Sequence, residues 1–324
     1  MTEKKTVAIV GATGAQGGGL ARAILRDPSS GFAVRALTRR TASAPARALA
    51  ESGADVVFAD LDQVETLKRA FDGAHAAYCV TNFWEHSSPE RELAQAAAMA
   101  HAVACAGTSH VIWSTLEDTR HWVPLDSDRM PTLHGRYKVP HFDAKGEANA
   151  EFIRRHVPAT FLLTSFYWDN YIAFPGMGPQ RDTSGVLTLT MPMGDKRLPG
   201  IAAEDIGRCA FGVLRTGSSY IGQTVGISGE HLTGVEIVSK MSRSIGEHVR
   251  YEDLSADEYR RLDFPGADDL GNMFQFKRDF EDVFCRARSV TQSRQLNPLM
   301  QTFDQWLGVN GRRITRGDAR RPTR

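Results

Sequence analysis

Three glycines at a spacing of three, Gly11, Gly14 and Gly17, separate the apolar run "TVAIV" (6–10) from a helical pattern in "VAIVGATGAQGGGLARAIL". No other feature restricts the fold so strongly. In this spacing the first glycine permits a tight turn, the second lets backbone approach a pyrophosphate, and the third lets the helix pack close to the strand. Helix N–H groups and the helix dipole then face the phosphates, with Thr13, Ala15 and Gln16 completing the loop. The glycines alone are a weak signal. They gain weight because they sit in a strand-turn-helix context as the first element of an alternating chain.

That alternation runs through the first half. Short apolar runs at 6–10, 33–38, 55–60, 76–81, 110–115 and 159–164 are separated by helix-length segments at about 15–27, 43–52, 64–72, 89–106 and 141–156. Strands repeatedly followed by helices predict an α/β, Rossmann-type doubly wound parallel sheet. Residues 1–165 are expected to form this nucleotide-binding domain, with some later segments returning to it. A smaller α+β C-terminal domain is expected over 166–310, with short strands near 186–190 and 224–228 and helices near 203–215, 233–246, 255–262 and 299–308. A basic, disordered tail should close the chain at 311–324. The long proline-containing stretch between Glu117 and His141 reads as a lid over the site.

Charge and cysteine usage narrow the function classes. Lys plus Arg number 39 against 38 Asp plus Glu, so the net charge of +1 gives no strong attraction to nucleic acid or an anionic membrane. The stretch Arg312–Arg324 carries six arginines and one aspartate, a local +5 that leaves the rest near −4. Such a tail gives weak, salt-sensitive DNA contact at most. Cys79, Cys105, Cys209 and Cys285 lie far apart with no CxxC pair, which fits reduced core thiols and offers no zinc site. Without a leader pattern or an apolar run approaching roughly 18 residues, a cytoplasmic protein with no membrane partner is expected.

The end of the second strand decides which dinucleotide fits. An NAD site places Asp or Glu there to accept from the ribose 2′-OH. This chain reads "ALTRRTAS", with no carboxylate from Phe32 to Ala50, and Arg39 and Arg40 stand where a 2′-phosphate would lie. NADP is the expected cofactor; the competing reading is a solvated basic loop. Asp60, with Leu61 beside it, closes the third strand, where its carboxylate can accept from the adenine amino group. Thr81 and Asn82 follow the fourth strand and can line a ribose. Each of these equally suits a turn.

The segments "GATGAQGG", "LTRR", "YCVTNFWE", "HFDAKGE", "SFYWDN" and "FPGADDLGNMFQF" resemble the NmrA-like family, atypical relatives of the short-chain dehydrogenases and reductases. The resemblance runs from about Thr6 to Gly308. It implies a Rossmann domain and a smaller C-terminal domain with NADP in the cleft between them. It also implies that the Gly11–Gly17 loop, Arg39, Thr81, Asn82, Lys145, Phe166, Tyr167, Trp168 and Asp169 surround the dinucleotide. Thr164 and Ser165 depart from the Arg-Pro or Leu-Pro that many relatives carry before the last of these segments.

Dehydrogenases of this superfamily use Tyr-x-x-x-Lys, two residues on one helix face, the lysine holding the nicotinamide ribose and the phenol passing a proton. Here the pair is His141 and Lys145, and Tyr137 comes four residues too early. Histidine as a residue type can in principle shuttle a proton, but the expected place of His141 is a helix start facing solvent or the long loop. Ser114 and Thr115 end the fifth strand, where the superfamily often keeps a hydroxyl. The expected function is an NADP(H)-binding regulatory or redox-sensing protein with little or no turnover, answering to a regulatory protein partner or a small hydrophobic ligand. The alternative is an NADPH-dependent reductase of a small hydrophobic or quinone-like compound, with Lys145 or His141 as acid and Phe83, Trp84, Phe166, Tyr167 and Trp168 as an aromatic wall.

Overall fold

The computed structural model describes residues 4–314, so the expected basic tail lies outside the described residues from 315 onward. Strands β1 (Lys5–Val10), β2 (Phe32–Thr38), β3 (Asp55–Phe58), β4 (Ala76–Cys79), β5 (His110–Thr115) and β6 (Ala159–Leu163) alternate with helices α1 (Ala15–Leu25), α2 (Ala44–Glu51), α3 (Val64–Phe71), α4 (Pro89–Cys105) and α5 (Pro140–Arg154). Local sequence sets their starts. Ser43 and Ser88 cap α2 and α4 through their side chains, each just ahead of a proline in the first helical turn, a position where a missing N–H costs nothing.

Beyond β6 the chain adds β7 (Phe166–Tyr167), β8 (Gln180–Arg181), β9 (Leu187–Thr190), β10 (Arg197–Ile201), β11 (Thr224–Gly226), β12 (Glu230–Thr233) and β13 (Val249–Glu252). The helices there are α6 (Asn170–Ala173), α7 (Ala203–Thr216), α8 (Gly234–Ile245), α9 (Ala256–Arg260), α10 (Ala267–Asp279), α11 (Glu281–Arg286), α12 (Val290–Leu296) and α13 (Phe303–Asn310). The main sheet has seven strands in the order β11-β6-β5-β4-β1-β2-β3, every neighbouring pair parallel. Strand order reverses between β1 and β4, which opens a crevice at the carboxyl ends of the strands. Two three-stranded sheets, β12-β10-β7 and β13-β9-β8, lie outside this one. Through α7, packed on α1, and β11, paired with β6, the later chain returns to the main sheet.

Consecutive residues of a strand point to opposite faces, and β1 shows the consequence. Val7 and Ile9 enter a core with Leu20 and Ile24 of α1 and Ile206 and Ala210 of α7. Ala8 and Val10 enter another, with Leu67 of α3, Met99 of α4 and Phe152 of α5. A third core gathers around Trp168, Phe274, Phe303 and Trp306. Together these place the carboxyl ends of β1, β4 and β5 opposite α10.

The stretch expected as a lid is built as a strut. The buried Lys138 donates through Nζ to the carbonyls of Ser127 and Met130, both at 2.7 Å. Asn272 and Gln275 of α10 donate to the carbonyls of Pro131 (2.9 Å) and Arg129 (2.7 Å). Asp143 of α5 accepts from the backbone N–H groups of Thr119 (2.8 Å) and Lys138 (2.7 Å). Buried backbone groups need partners, and here Lys138, α5 and α10 supply them.

Glycine makes the helix contact beneath the crevice. A Cβ on Gly17 would lie 2.6 Å from the Gly11 carbonyl oxygen, and one on Gly207 of α7 would lie 2.0 Å from the Leu20 nitrogen of α1. Both obstacles are backbone, so neither can swing aside. Gly207→Ala should therefore cost about 3 kcal/mol or more, as overpacking against a rigid wall does. Gly31→Ala meets nothing within 4 Å and has only its positive φ of 75° to overcome, at about 1–2 kcal/mol. Urea midpoints of the two variants should rank accordingly.

A candidate active-site cleft at the carboxyl ends of the strands

The crevice between β1 and β4 opens into a cleft of about 610 Å³. Its floor is the turn after β1. Gly11 takes a φ of 64°, and Gly14, the residue before α1, offers no side-chain cap to the first N–H groups of the helix, which have no intrahelical partner. Gly11, Thr13, Gly14, Ala15, Gln16 and Gly17 all line it. A Cβ on Gly14 would stand 3.2 Å from the Gly11 carbonyl, so side chains there would crowd the turn. This is a cradle for an anionic group, and it fits a pyrophosphate. The Gln16 side chain is held in place by Tyr167 and Tyr78 and accepts from Ser114 at 2.8 Å.

Arg39, Arg40, Asp60 and Leu61 line one end. Asp60 accepts from the Asp62 backbone at 3.1 Å and from Gln63 Nε2 at 3.2 Å, which keeps the strand end turned. Arg39 is engaged: its guanidinium meets both oxygens of Glu85, at 2.6 and 2.8 Å. That hydrogen bond raises Arg39 above its ordinary range despite some burial and lowers the Glu85 carboxyl. No side chain pairs with the exposed Arg40 among the described residues.

Thr81, Asn82, His141 and Lys145 line the middle of the wall. Lys145 donates to Thr81 Oγ1 at 2.5 Å and lies 2.7 Å from Glu92 Oε1, a carboxylate of α4 with no exposed surface. His86 Nε2 stands 3.4 Å from the other Glu92 oxygen. Burial alone would raise this carboxyl. The charge of Lys145, the nearby His86 imidazole and hydrogen bonds from Lys145 and Thr81 override it and pull Glu92 down to about 2.

His141 departs from expectation. It faces neither solvent nor the long loop: it is 6 % exposed on the cleft wall, one turn before Lys145, because Pro140 starts α5 beneath α10. Asp269 of α10 accepts from its Nδ1 at 2.6 Å and from its backbone N–H at 3.2 Å. With Nδ1–H committed to the carboxylate, Nε2 is the ring nitrogen left for the cleft. Trp84 packs on the ring at 4.9 Å between centroids, and Phe83 at 5.8 Å.

Two expected contacts are absent. Trp168 and Asp169 do not line the cleft, although Phe166 and Tyr167 do. Trp168 lies over Gly200, whose missing Cβ would touch its Nε1 at 2.2 Å, and packs on Phe303 and Trp306. Asp169 accepts from the Ala203 N–H at the start of α7, 2.8 Å away. Both serve packing. Ser114 and Thr115 also stay outside, the latter bonded to the Lys145 carbonyl at 3.0 Å. Tyr137 is buried between Arg120 and Arg136, away from the cleft. No residue of 118–140 lines it.

Sequence reasoning missed Asp269, Glu92, Glu85 and Lys277. Lys277 of α10 lines the cleft at 3 % exposure, among phenylalanine rings. Burial, and after it the nearby charge of Arg288, lower its amine to about 7, with Glu117 opposing both. A lysine directly after "FQF" reads as an exposed helix end, and nothing local distinguishes it.

Glu92→Gln would leave the Lys145 ammonium without its carboxylate, at a cost of about 3 kcal/mol at pH 7. Because the folded carboxyl titrates below the usual range, its contribution is present above about 4.5 and lost as pH falls towards about 2. Denaturant midpoints of wild type and variant should therefore converge on acidification over that window.

Residues 3–307 match the model of the NmrA-like family. The chain is 30% identical over 294 residues to the NmrA-like family domain-containing oxidoreductase FrzB of a Cladobotryum species, covering 83% of each chain. Among solved structures it is similar to the negative transcriptional regulator NmrA in complex with NADP, with a TM-score of 0.73, 22% identity and 95% of each chain covered. Triphenylmethane reductase of Citrobacter complexed with NADP(H) has a TM-score of 0.73 at 18% identity, over 94% of this chain and 99% of that one. Family match and fold agree on the same span, and the chain belongs to the NmrA-like family.

Proposed function

We propose that this protein is an NADPH-dependent reductase of a small hydrophobic compound, with His141 as the proton donor. The observation that carries this reading is the His141–Asp269 pair, 2.6 Å apart on the cleft wall and one helical turn before Lys145. A bound NADPH would supply the hydride. The α1 amino terminus would hold its pyrophosphate, Arg39 and Arg40 its 2′-phosphate, and Lys145 with Thr81 and Asn82 the nicotinamide ribose. Asp269 holds Nδ1–H, so the transferable proton is the Nε2–H of the imidazolium form, and the neutral ring left after transfer keeps its Nδ1–H on the carboxylate. Phe83, Trp84, Phe142 and Phe166 exclude water from that side of the cleft. In support stand the oxidoreductase name of the FrzB relative and the NADP(H) bound by triphenylmethane reductase.

The regulatory reading draws on a different observation. A 2′-phosphate has to take Arg39 from Glu85, and Glu85 ends the short turn Phe83–Glu85 whose Trp84 touches His141. Cofactor binding would then alter that turn, and a sensor would follow if NADPH and NADP⁺ did so unequally.

Two measurements test these assignments. Arg39→Gln should weaken NADPH by about 10- to 100-fold, the worth of a charge-assisted hydrogen-bond pair, and leave NADH almost unchanged in calorimetry. His141→Phe should lower the rate of NADPH oxidation by about 100-fold with a quinone and aryl ketone panel, at unchanged NADPH affinity. A wild-type protein that oxidises NADPH with no member of the panel, while NADPH and NADP⁺ shift its tryptophan emission differently, would replace the reductase reading with the sensor.

A further inference from the structure

Lys277 lines the cleft without a carboxylate of its own. Among the described residues none lies within ion-pair distance of its Nζ, and the carboxylate whose charge acts on it, Glu117, gives both oxygens to Arg288 at 2.5 and 2.8 Å. Its hydrogen-bond acceptor is the Met273 sulfur at 3.2 Å, a weak one for a group with three N–H donors. Around it stand the rings of Phe142, Phe166, Phe274 and Phe284, with centroids 5.5, 5.5, 5.7 and 5.4 Å from Nζ. Ring faces attract a cation but accept no strong hydrogen bond. Lys145, on the same cleft, is treated in the opposite way, paired with a buried carboxylate at 2.7 Å.

The helix sets the geometry. Asp269, Met273 and Lys277 recur every four residues of α10 and so share one stripe of the helix. The first of them orients His141, and the last lies two turns on, roughly 12 Å along the axis. Both groups line the same cleft, and the Phe142 ring adjoins each of them, 4.8 Å from the imidazole and 5.5 Å from Nζ. A buried amine kept without a partner costs stability, which is tolerated where a ligand supplies the missing acceptor.

We propose that Lys277 anchors an oxygen atom of the substrate, and that the substrate is a planar aromatic carbonyl compound. The amine donates to an oxygen other than the one that takes its proton from His141, as the two carbonyl oxygens of a quinone allow, while Phe142, Phe166 and Phe284 hold the ring. This assignment rests on the cleft being the reductase site argued above, but its test does not depend on turnover.

The full chain loaded with NADP⁺ is titrated with 2-acetylnaphthalene and, as a shape-matched probe lacking oxygen, 2-ethylnaphthalene, following tryptophan emission. The wild type at pH 6 should prefer the ketone by about tenfold, the value of a hydrogen bond from a charged donor. Lys277→Met should bring the preference near unity, and Lys277→Arg should keep part of it. With the amine lowered to about 7, the wild-type preference should decline as pH rises from 6 to 8.5, and that of the variant should not change.

Misfolding is separable from this effect. The folded amine titrates near 7 and the unfolded one in the ordinary lysine range, so the unfolded chain binds more protons between them and wild-type stability rises with pH there. Lys277→Met should thus melt at or above the wild-type temperature at pH 6, with the gap narrowing towards pH 10. Equal ketone preference in wild type and Lys277→Met, or none in the wild type, would overturn the assignment. If Lys277-dependent preference holds but no carbonyl compound oxidises NADPH, the reductase reading fails and the oxygen site stands. If wild type and Lys277→Met turn over equally and share one preference, the oxygen site fails and the reductase reading stands.

Discussion

Backbone meeting backbone without an intervening Cβ is the contact on which the architecture depends. Gly17 lets α1 settle against the turn after β1, and Gly19 and Gly207 let α7 settle against α1. The first contact aims the α1 amino terminus at the crevice. The second draws a late segment of the chain back under the main sheet, so that the chain beyond α7 departs from a fixed position. The cleft inherits its floor from one and its far wall, by way of α10, from the other.

That cleft handles buried positive charge in two ways. Lys145 is answered within the protein, by a carboxylate with no exposed surface, a hydroxyl and, at the carboxylate's far oxygen, a histidine. Lys277 meets hydrocarbon and sulfur. The difference lies in the side chains each neighbouring element presents. Glu92 reaches Lys145 because α4 and α5 pack side by side, whereas α10 faces aromatic side chains of β7, α5 and α11. The His141–Asp269 pair lies between the two, oriented by a carboxylate yet enclosed by rings.

The first six strands and five helices were legible because each strand is apolar on both faces and each helix carries a stop or start signal; their edges move by only one or two residues. Beyond Phe166 those signals fade. β7 is two residues long, and β10 contains Pro199 and Gly200, residues that strand patterns exclude. Helix α10 was invisible for another reason: Asp269, Asn272, Gln275 and Lys277 are all buried with Leu270, Met273 and Phe276, so no polar face marks its period. The site shows the same limit. Spacing along the chain identified the glycine turn, Arg39 and the His141–Lys145 pair as residues of interest. It could not show that His141 is buried, since its partner lies 128 positions away. Nor could it separate Phe166 and Tyr167, which line the cleft, from the adjacent Trp168 and Asp169, which do not.

The strut formed by residues 118–140 carries one more implication. It is fastened to α10 through Asn272 and Gln275, neighbours in sequence of Asp269 and Lys277. The stretch therefore buttresses the helix that carries both groups, although none of its own residues lines the cleft.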